Sequence, residues 1–291
     1  MVAYVVEALD AVTLSGAAAE GCNLMSPFCW MEQGVVHMMV RVVPKSGHPT
    51  GVIWAATSED GLAFTLCPQP AITPGPGPDD AKGCEDPTVV LHDDAYVVFY
   101  TGVESDGQGQ LLVAEGPKLQ HLQKSEALLT PPKGEGNIKE ATLAKVSEDE
   151  WVLWYEYAQD NASRIGCARG PSPRGPWTVE DDPFTVRPDS WDRWHLSTGP
   201  IEILPGGEPV MFYNGATEDA RWRIGWVTFS PDYRTVTGRG VEPLVMPAPP
   251  TDRDKTDIAF AASDVVVDGL IHLYYSIEDE ILMRATVRRY A

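Results

Sequence analysis

Positive charge is scarce in this chain of 291 residues: 22 lysines and arginines stand against 42 aspartates and glutamates, for a formal net charge of −20. Such a surface repels nucleic-acid backbones and anionic membranes, so neither is expected as a partner. Long apolar runs are also missing, and nothing approaches the roughly 20 residues of a bilayer-spanning helix. The opening stretch, from Met1 to Asp10, lacks the basic residues of a secretory leader and carries acids early, so a cytoplasmic location is the expectation. Cysteine is limited to Cys22, Cys29, Cys67, Cys84 and Cys167, an odd and scattered set without paired zinc-ligand spacing. These read as free thiols in a reducing compartment, with no metal or cofactor required. There is no Gly-rich phosphate loop, no dinucleotide fingerprint and no nucleophile elbow, which removes the usual sequence support for phosphoryl transfer, nicotinamide redox and serine hydrolysis. No segment carries a sustained helical apolar stripe, so helices should be few.

The chain does contain many turn-formers and aromatics, with 25 prolines, 26 glycines and 9 tryptophans. This composition favours short strands joined by loops. Apolar-aromatic strands recur around Arg41, Tyr100, Tyr155, Tyr213 and Tyr275, at spacings of 59, 55, 58 and 62 residues. A second series beginning at Ile53, Leu111, Ile165, Ile224 and Ile281 has spacings of 58, 54, 59 and 57. Turn signals such as Glu59-Asp60-Gly61, Asp93-Asp94, Pro205-Gly206-Gly207 and Asp268-Gly269 fall where hairpins should end. Five units of this length, each with room for about four antiparallel strands, predict an all-β, five-bladed β-propeller forming one catalytic domain over 1–291. The competing arrangement is two stacked β-sandwiches whose spacing coincides by chance.

In a propeller, equivalent positions of successive blades converge on one axial pocket. The stretch Lys82-Gly83-Cys84-Glu85-Asp86-Pro87-Thr88 sets two carboxylates between a glycine that permits a tight turn and a proline that favours an extended residue before it. A carboxylate held rigidly at a strand mouth suits a general acid or a sugar-binding group; the same residues could equally form an ordinary Asp-capped turn. Other candidates for the pocket are Asn23, Ser26, Arg41, Lys139, Glu140, Glu156, His195, Tyr213 and Asp279. Carboxylates and amides bind polyols and aromatic rings pack on a sugar's C–H face, so this set fits carbohydrate chemistry. Trp191 and Trp194 would serve as a sugar platform or pack between blades. His195 would donate to substrate or to a reacting anion, or bond a neighbouring blade. Tyr213 and the other repeat tyrosines fit blade core at least as well as ligand contact.

Taken in order, Gly83–Pro87, Tyr100-Thr101-Gly102, Lys139-Glu140, the run from Trp191 to Pro200, Phe212–Gly215 and Tyr274–Asp279 resemble glycoside hydrolase family 130 over nearly the whole chain. The resemblance implies a five-bladed propeller acting on β-mannosides in small oligosaccharides, with inversion. Some family members are phosphorylases and others hydrolases. It implies that Asp86 is the proton donor, that Asn23, Ser26, Arg41 and Asp279 contact sugar, and that Lys139 matches a lysine of the phosphorylases' phosphate site. This sequence departs from the phosphorylase pattern in having Thr88 where those enzymes carry arginine, and there is no arginine between Thr88 and Ser163. A phosphate dianion in a partly dry pocket needs several charge-assisted donors. Hydrolysis is therefore expected, with Glu140 or Glu156 as general base and Glu85 among the sugar contacts. The alternatives are phosphorolysis, with inorganic phosphate as co-substrate and mannose 1-phosphate as product, another five-bladed glycosidase, and a non-catalytic sugar-binding propeller.

Overall fold

The computed structural model describes residues 2–125, 127–129, 136–248 and 256–290. The expected predominance of strands holds: among the described residues the only helical element is one 3₁₀ turn, Leu119–His121. No helix there is long and apolar enough to cross a membrane.

The strands form antiparallel meanders. Cys22–Glu32, Val35–Pro44, Val52–Ser58 and Ala63–Ile72 pair in sequence, with the short Thr13–Ser15 added at the outer edge. The next meander runs Gly83–His92, Ala95–Val103, Gly109–Gly116 and Gln123–Lys124, and the one after it Gly136–Ser147, Glu150–Gln159, Ala162–Gly170 and Thr178–Glu180. The segment 195–239 holds two short sheets, one starting at His195–Ser197 and the other at Ile201–Glu202. The last meander is Ala259–Val267, Leu270–Ile277 and Ile281–Tyr290, and its outer edge is completed by Ala3–Ala11 from the other end of the chain. The first strands of neighbouring sheets touch in a closed ring, Cys22–Glu32 to Gly83–His92 to Gly136–Ser147 to Ile201–Glu202 to Ala259–Val267 and back. This is a propeller-type architecture.

Four of the five members of each marker series lie on equivalent strands, while Tyr213 falls between two short strands. Arg41, Tyr100, Tyr155 and Tyr275 occupy second strands, and Ile53, Leu111, Ile165 and Ile281 third strands. The reason for the period is packing. Apolar side chains fill the gaps between adjacent sheets in five clusters; Tyr100 joins Met39 and Ile53, Tyr155 joins Phe99, Tyr213 joins Trp154, and Tyr275 joins Phe212. Each of these tyrosines is at most 2% exposed, so each anchors a sheet-to-sheet face. Burial of such a side chain is worth about 2 kcal/mol.

Hydroxyl groups tie the inner strands together. Thr88 donates to the Ala141 carbonyl (2.6 Å), Thr142 to that of Gly199 (3.0 Å) and Ser263 to that of Pro27 (2.7 Å). Asn214 links the Thr198 carbonyl to the backbone of Ala261. All five cysteines are free, with Cys29, Cys84 and Cys167 buried and Cys22 and Cys67 half-buried.

Candidate active site

The inner strands of the first three meanders share one irregularity. Their register to the second strand slips between Met25 and Phe28, between Glu85 and Thr88, and between Lys139 and Thr142. Inside each slip one residue is left-handed: Ser26 at φ 50°, Asp86 at 49° and Glu140 at 53°. A β-bulge leaves a residue unpaired and turns its side chain out of the pleat. Pro27 and Pro87 fall inside the slips, where a missing N–H breaks no ladder bond. The extended conformation expected of Asp86 from the proline after it is therefore not found, because the bulge overrides the local steric preference. A non-glycine residue in this region stores strain, which recurs at functional sites. Gly83 likewise plays a different part from the expected tight turn. A Cβ there would lie 2.1 Å from Thr50 Oγ1 and 2.8 Å from Gly51 N, so glycine is required by close approach of two segments of the chain.

The three bulge residues line one pocket of about 340 Å³ together with Met25, Arg41, Glu85, Lys139, Glu156, Trp222, Thr256, Ile258, Phe260, Ser276 and Asp279. Eight of the eleven residues singled out from the sequence thus meet: Ser26, Arg41, Glu85, Asp86, Lys139, Glu140, Glu156 and Asp279. Asn23, His195 and Tyr213 do not line it. Asn23 sits on its strand opposite Val43, three residues before Ser26. Tyr213 is fully buried and donates to Asp192 (2.7 Å), a carboxylate also held by Arg187 and Arg239. His195 stands behind the pocket wall. Its Nδ1 accepts the Ser163 N–H (3.1 Å) and its ring lies 5.4 Å from that of Trp222.

The polar wall is densely bonded. Arg41 donates to Glu85 (2.6 Å) and to the Thr50 carbonyl (3.0 and 2.8 Å), and its other terminal nitrogen is 3.6 Å from Asp86. The Ser26 hydroxyl donates to Asp86 (2.7 Å), whose side chain is 3% exposed. Lys139 and Glu156 face each other across the strand pair with 3.5 Å between charges, and Ser163 donates to the same Glu156 oxygen at 2.9 Å. Burial raises the Glu85 carboxyl above its ordinary pKa despite Arg41, and does the same to Asp279. Glu140 is pushed well above the carboxylate range by burial and by the Asp86 charge, with Lys139 opposing. The Glu156 charge raises Lys139, and burial lowers His195.

The apolar wall was the part that sequence reasoning missed. Trp222 and Phe260 meet edge to face at 5.2 Å and both line the pocket. Trp191, offered as a platform, instead stacks on Tyr213 at 5.6 Å and donates to the Val241 carbonyl. The available signal for Trp222 was its place two residues before the repeat marker Ile224, on a strand otherwise too short to show alternation. Cys84, next to Glu85, is buried and donates to Asp80; burial pushes its thiol far up, which removes it as a nucleophile. Among the described residues no group of three or more His, Cys, Asp or Glu side chains is placed to hold a metal ion.

Comparison with known proteins follows the same outline. No family model matches the chain. It is similar to the 1,2-β-oligomannan phosphorylase of Thermoanaerobacter sp., at 20% identity over 270 residues, 86% of this chain and 85% of that one. Its fold is similar to that of β-1,2-mannobiose phosphorylase from Listeria innocua, with a TM-score of 0.77, 18% identity and coverage of 94% and 92%. A further structure at TM-score 0.73, 18% identity and coverage of 91% and 84% represents the GH130 family of mannoside phosphorylases, which contains hydrolases of β-1,2-mannosidic linkages. In fold, and over most of its length, the chain is similar to these glycoside hydrolase family 130 proteins. The bulge carboxyls Asp86 and Glu140, the facing Glu156 and an aromatic wall share one pocket, and paired carboxyls beside aromatic rings are the kinds of group that glycosidic cleavage uses.

Proposed function

We propose that this chain is a five-bladed, single-domain enzyme that cleaves β-mannosidic bonds in small oligosaccharides with inversion. The five-blade reading takes the two short sheets of segment 195–239 as one interrupted blade. The observation that carries the function is the convergence of Asp86, Glu140 and Glu156 on one pocket shared with Ser26, Arg41 and Asp279. Inversion needs a carboxylic acid on the leaving oxygen and a carboxylate that activates the nucleophile from the opposite side. Ser26, Arg41, Glu85 and Asp279 hold the sugar at the cleaved bond, and Trp222 with Phe260 receives the C–H face of its neighbour.

Charge in the pocket favours water as the nucleophile. Its two cations are already engaged, Arg41 by Glu85 and Lys139 by Glu156. Thr88 bonds the Ala141 carbonyl and faces a separate cavity on the ring axis, so it offers nothing to an anion in the pocket. Phosphorolysis is the second reading, and the relatives favour it over hydrolysis: the similar Thermoanaerobacter and Listeria proteins are phosphorylases. Product analysis on β-1,2-mannobiose and mannosyl-glucose, with and without inorganic phosphate, decides between them. Free mannose at equal rates in both conditions supports hydrolysis. Mannose 1-phosphate formed only with phosphate establishes phosphorolysis, and binding without turnover in either would sink the enzyme reading in favour of a sugar-binding propeller.

A further inference from the structure

The hairpin that carries Glu156 brings a serine against it. Glu150–Gln159 and Ala162–Gly170 are joined by the two-residue loop Asp160-Asn161, both residues left-handed at φ 50° and 60°. A tight turn of this kind fixes the register of the strands beyond it. Glu156 pairs with Ile165 and Ala158 with Ser163, so Ser163 is the diagonal neighbour of Glu156 on the same face of the sheet. Its hydroxyl donates to Glu156 at 2.9 Å, on the oxygen that also lies 3.5 Å from Lys139. The Ser163 backbone is in turn held on both sides. Its N–H donates to His195 Nδ1 (3.1 Å), and its carbonyl accepts from Arg164 (2.9 Å), whose guanidinium also reaches the Trp194 carbonyl (2.7 Å). A ring nitrogen that accepts an N–H carries no proton, so His195 has its proton on Nε2, and burial favours this neutral ring.

We infer that Ser163 is the positioning residue of Glu156: its hydroxyl aims the carboxylate that takes the proton of an attacking water, and His195 acts one step further back by fixing the Ser163 backbone. The inference rests on the hydrolytic reading above and leaves the proton for the leaving oxygen with Asp86. Of the two glutamates that could serve as base, Glu156 is the one whose direction is set both by a hydroxyl donor and by a cation. A base turned away from the water loses rate even when it stays in the pocket, because proton transfer needs hydrogen-bond reach. In the step itself the bond from C1 to the glycosidic oxygen breaks, its electron pair goes to that oxygen, and the oxygen takes the Asp86 proton. Water forms the new bond to C1 and passes a proton to Glu156. Ser163 donates a hydrogen bond throughout and neither gains nor loses a proton. The titratable groups facing Glu156 are Lys139, Glu140 and His195. His195 also lies 5.4 Å from Trp222, so the contacts from Glu156 through Ser163 and His195 join the polar wall to the aromatic one.

The test measures release of free mannose from β-1,2-mannobiose by Ser163→Ala, Ser163→Thr, Glu156→Gln and the double variant Ser163→Ala with Glu156→Gln, with thermal melting showing each folded. Ser163→Ala should lower kcat about tenfold to a hundredfold with KM within about threefold of the parent, and Ser163→Thr, which keeps the hydroxyl, should recover most of that rate. Because Ser163 acts through Glu156, adding Ser163→Ala to Glu156→Gln should cost less than about twofold more. His195→Leu should show a weaker form of the Ser163→Ala defect, and His195→Asn, whose amide oxygen can accept the same N–H, should be milder still. Full additivity in the double variant, or a Ser163→Ala defect confined to KM, overturns the inference. A second readout is independent of turnover. Crystals of Ser163→Ala should show the Glu156 carboxylate turned from its place in the parent, and those of Ser163→Thr should superpose on the parent. A parent that releases no free mannose fells the hydrolytic reading, whereas an unmoved Glu156 in Ser163→Ala fells the positioning role itself.

Discussion

At the scale of single residues, the pocket is a set of charges that depend on one another. Arg41 holds Glu85, approaches Asp86 and ties down the Thr50 carbonyl, so its loss strands two carboxylates in a largely buried wall. Arg41→Met should lose about 3 kcal/mol of stability in urea titration, since removing one partner leaves a buried charge uncompensated. Adding Glu85→Gln should restore part of that loss, and independent additive effects would show that the pair is not coupled. Asp86→Asn should abolish turnover while sugar binding by calorimetry and the melting temperature stay near those of the parent; full activity in that variant would remove Asp86 from the mechanism. Glu85 and Asp86 were readable because acids between glycine and proline in a turn-rich chain are uncommon enough to single out, and the rest of the polar wall was readable from its place in the repeat. The aromatic wall was not readable. Among nine tryptophans, composition cannot say which one faces the cavity.

At the scale of elements, the decisive feature is the bulge repeated in three inner strands. It places Ser26, Asp86 and Glu140 at equivalent positions of three neighbouring inner strands, which is why residues so far apart in sequence line one pocket. The position two residues beyond the bulge has its own duty, since Thr88 and Thr142 there each bond the next inner strand. Thr88→Val keeps the shape and removes the donor, leaving the buried Ala141 carbonyl unpaired, and should lower stability by about 1–3 kcal/mol. Denaturant midpoints would check it, with Thr88→Ser, which keeps the hydroxyl donor, expected to avoid most of the loss. The unexpected left-handed Asp86 belongs to this scale as well. Proline after Asp86 favours an extended residue locally, but the ladder on either side of the slip imposes the bulge, and tertiary pairing outweighs a local preference of order 1–3 kcal/mol.

At the scale of the whole molecule, the ring is closed by pairing Ala3–Ala11 with Ile281–Tyr290, so the two ends of the chain stabilise one sheet. Deleting residues 2–11 should unfold that sheet and, through the cluster containing Tyr4, Phe212 and Tyr275, lower the melting temperature of the whole ring rather than fray one edge. Charge acts at this scale too. Glu85, Glu140, Asp264 and Asp279 all have carboxyls raised by burial. A raised folded-state pKa means that the folded protein keeps protons which the unfolded chain has already released, so stability is present below the unfolded values and falls as pH rises through the folded ones. The net charge of −20 works in the same direction. Melting temperature should therefore fall from about pH 5 to pH 8 at low salt, and added salt should recover the part due to surface repulsion. A melting temperature that rises over that range would contradict the raised carboxyls.

The amino-acid sequence alone determined the strand-rich class and the repeat, which follow from composition and from the recurring apolar core positions, and it singled out Asp86 between glycine and proline, while Glu140 and Glu156 came from their place in the repeat and the likeness of the ordered motifs. Only the tertiary structure decided which residues share the pocket, that Tyr213 belongs to a buried Asp192 network and His195 to the layer behind Trp222, and that Trp222 and Phe260 form the apolar wall. The physical reason is that a one-residue slip in a strand reverses which side chains face the axis. Such slips are set by pairing with a neighbouring strand, and the local sequence does not encode them.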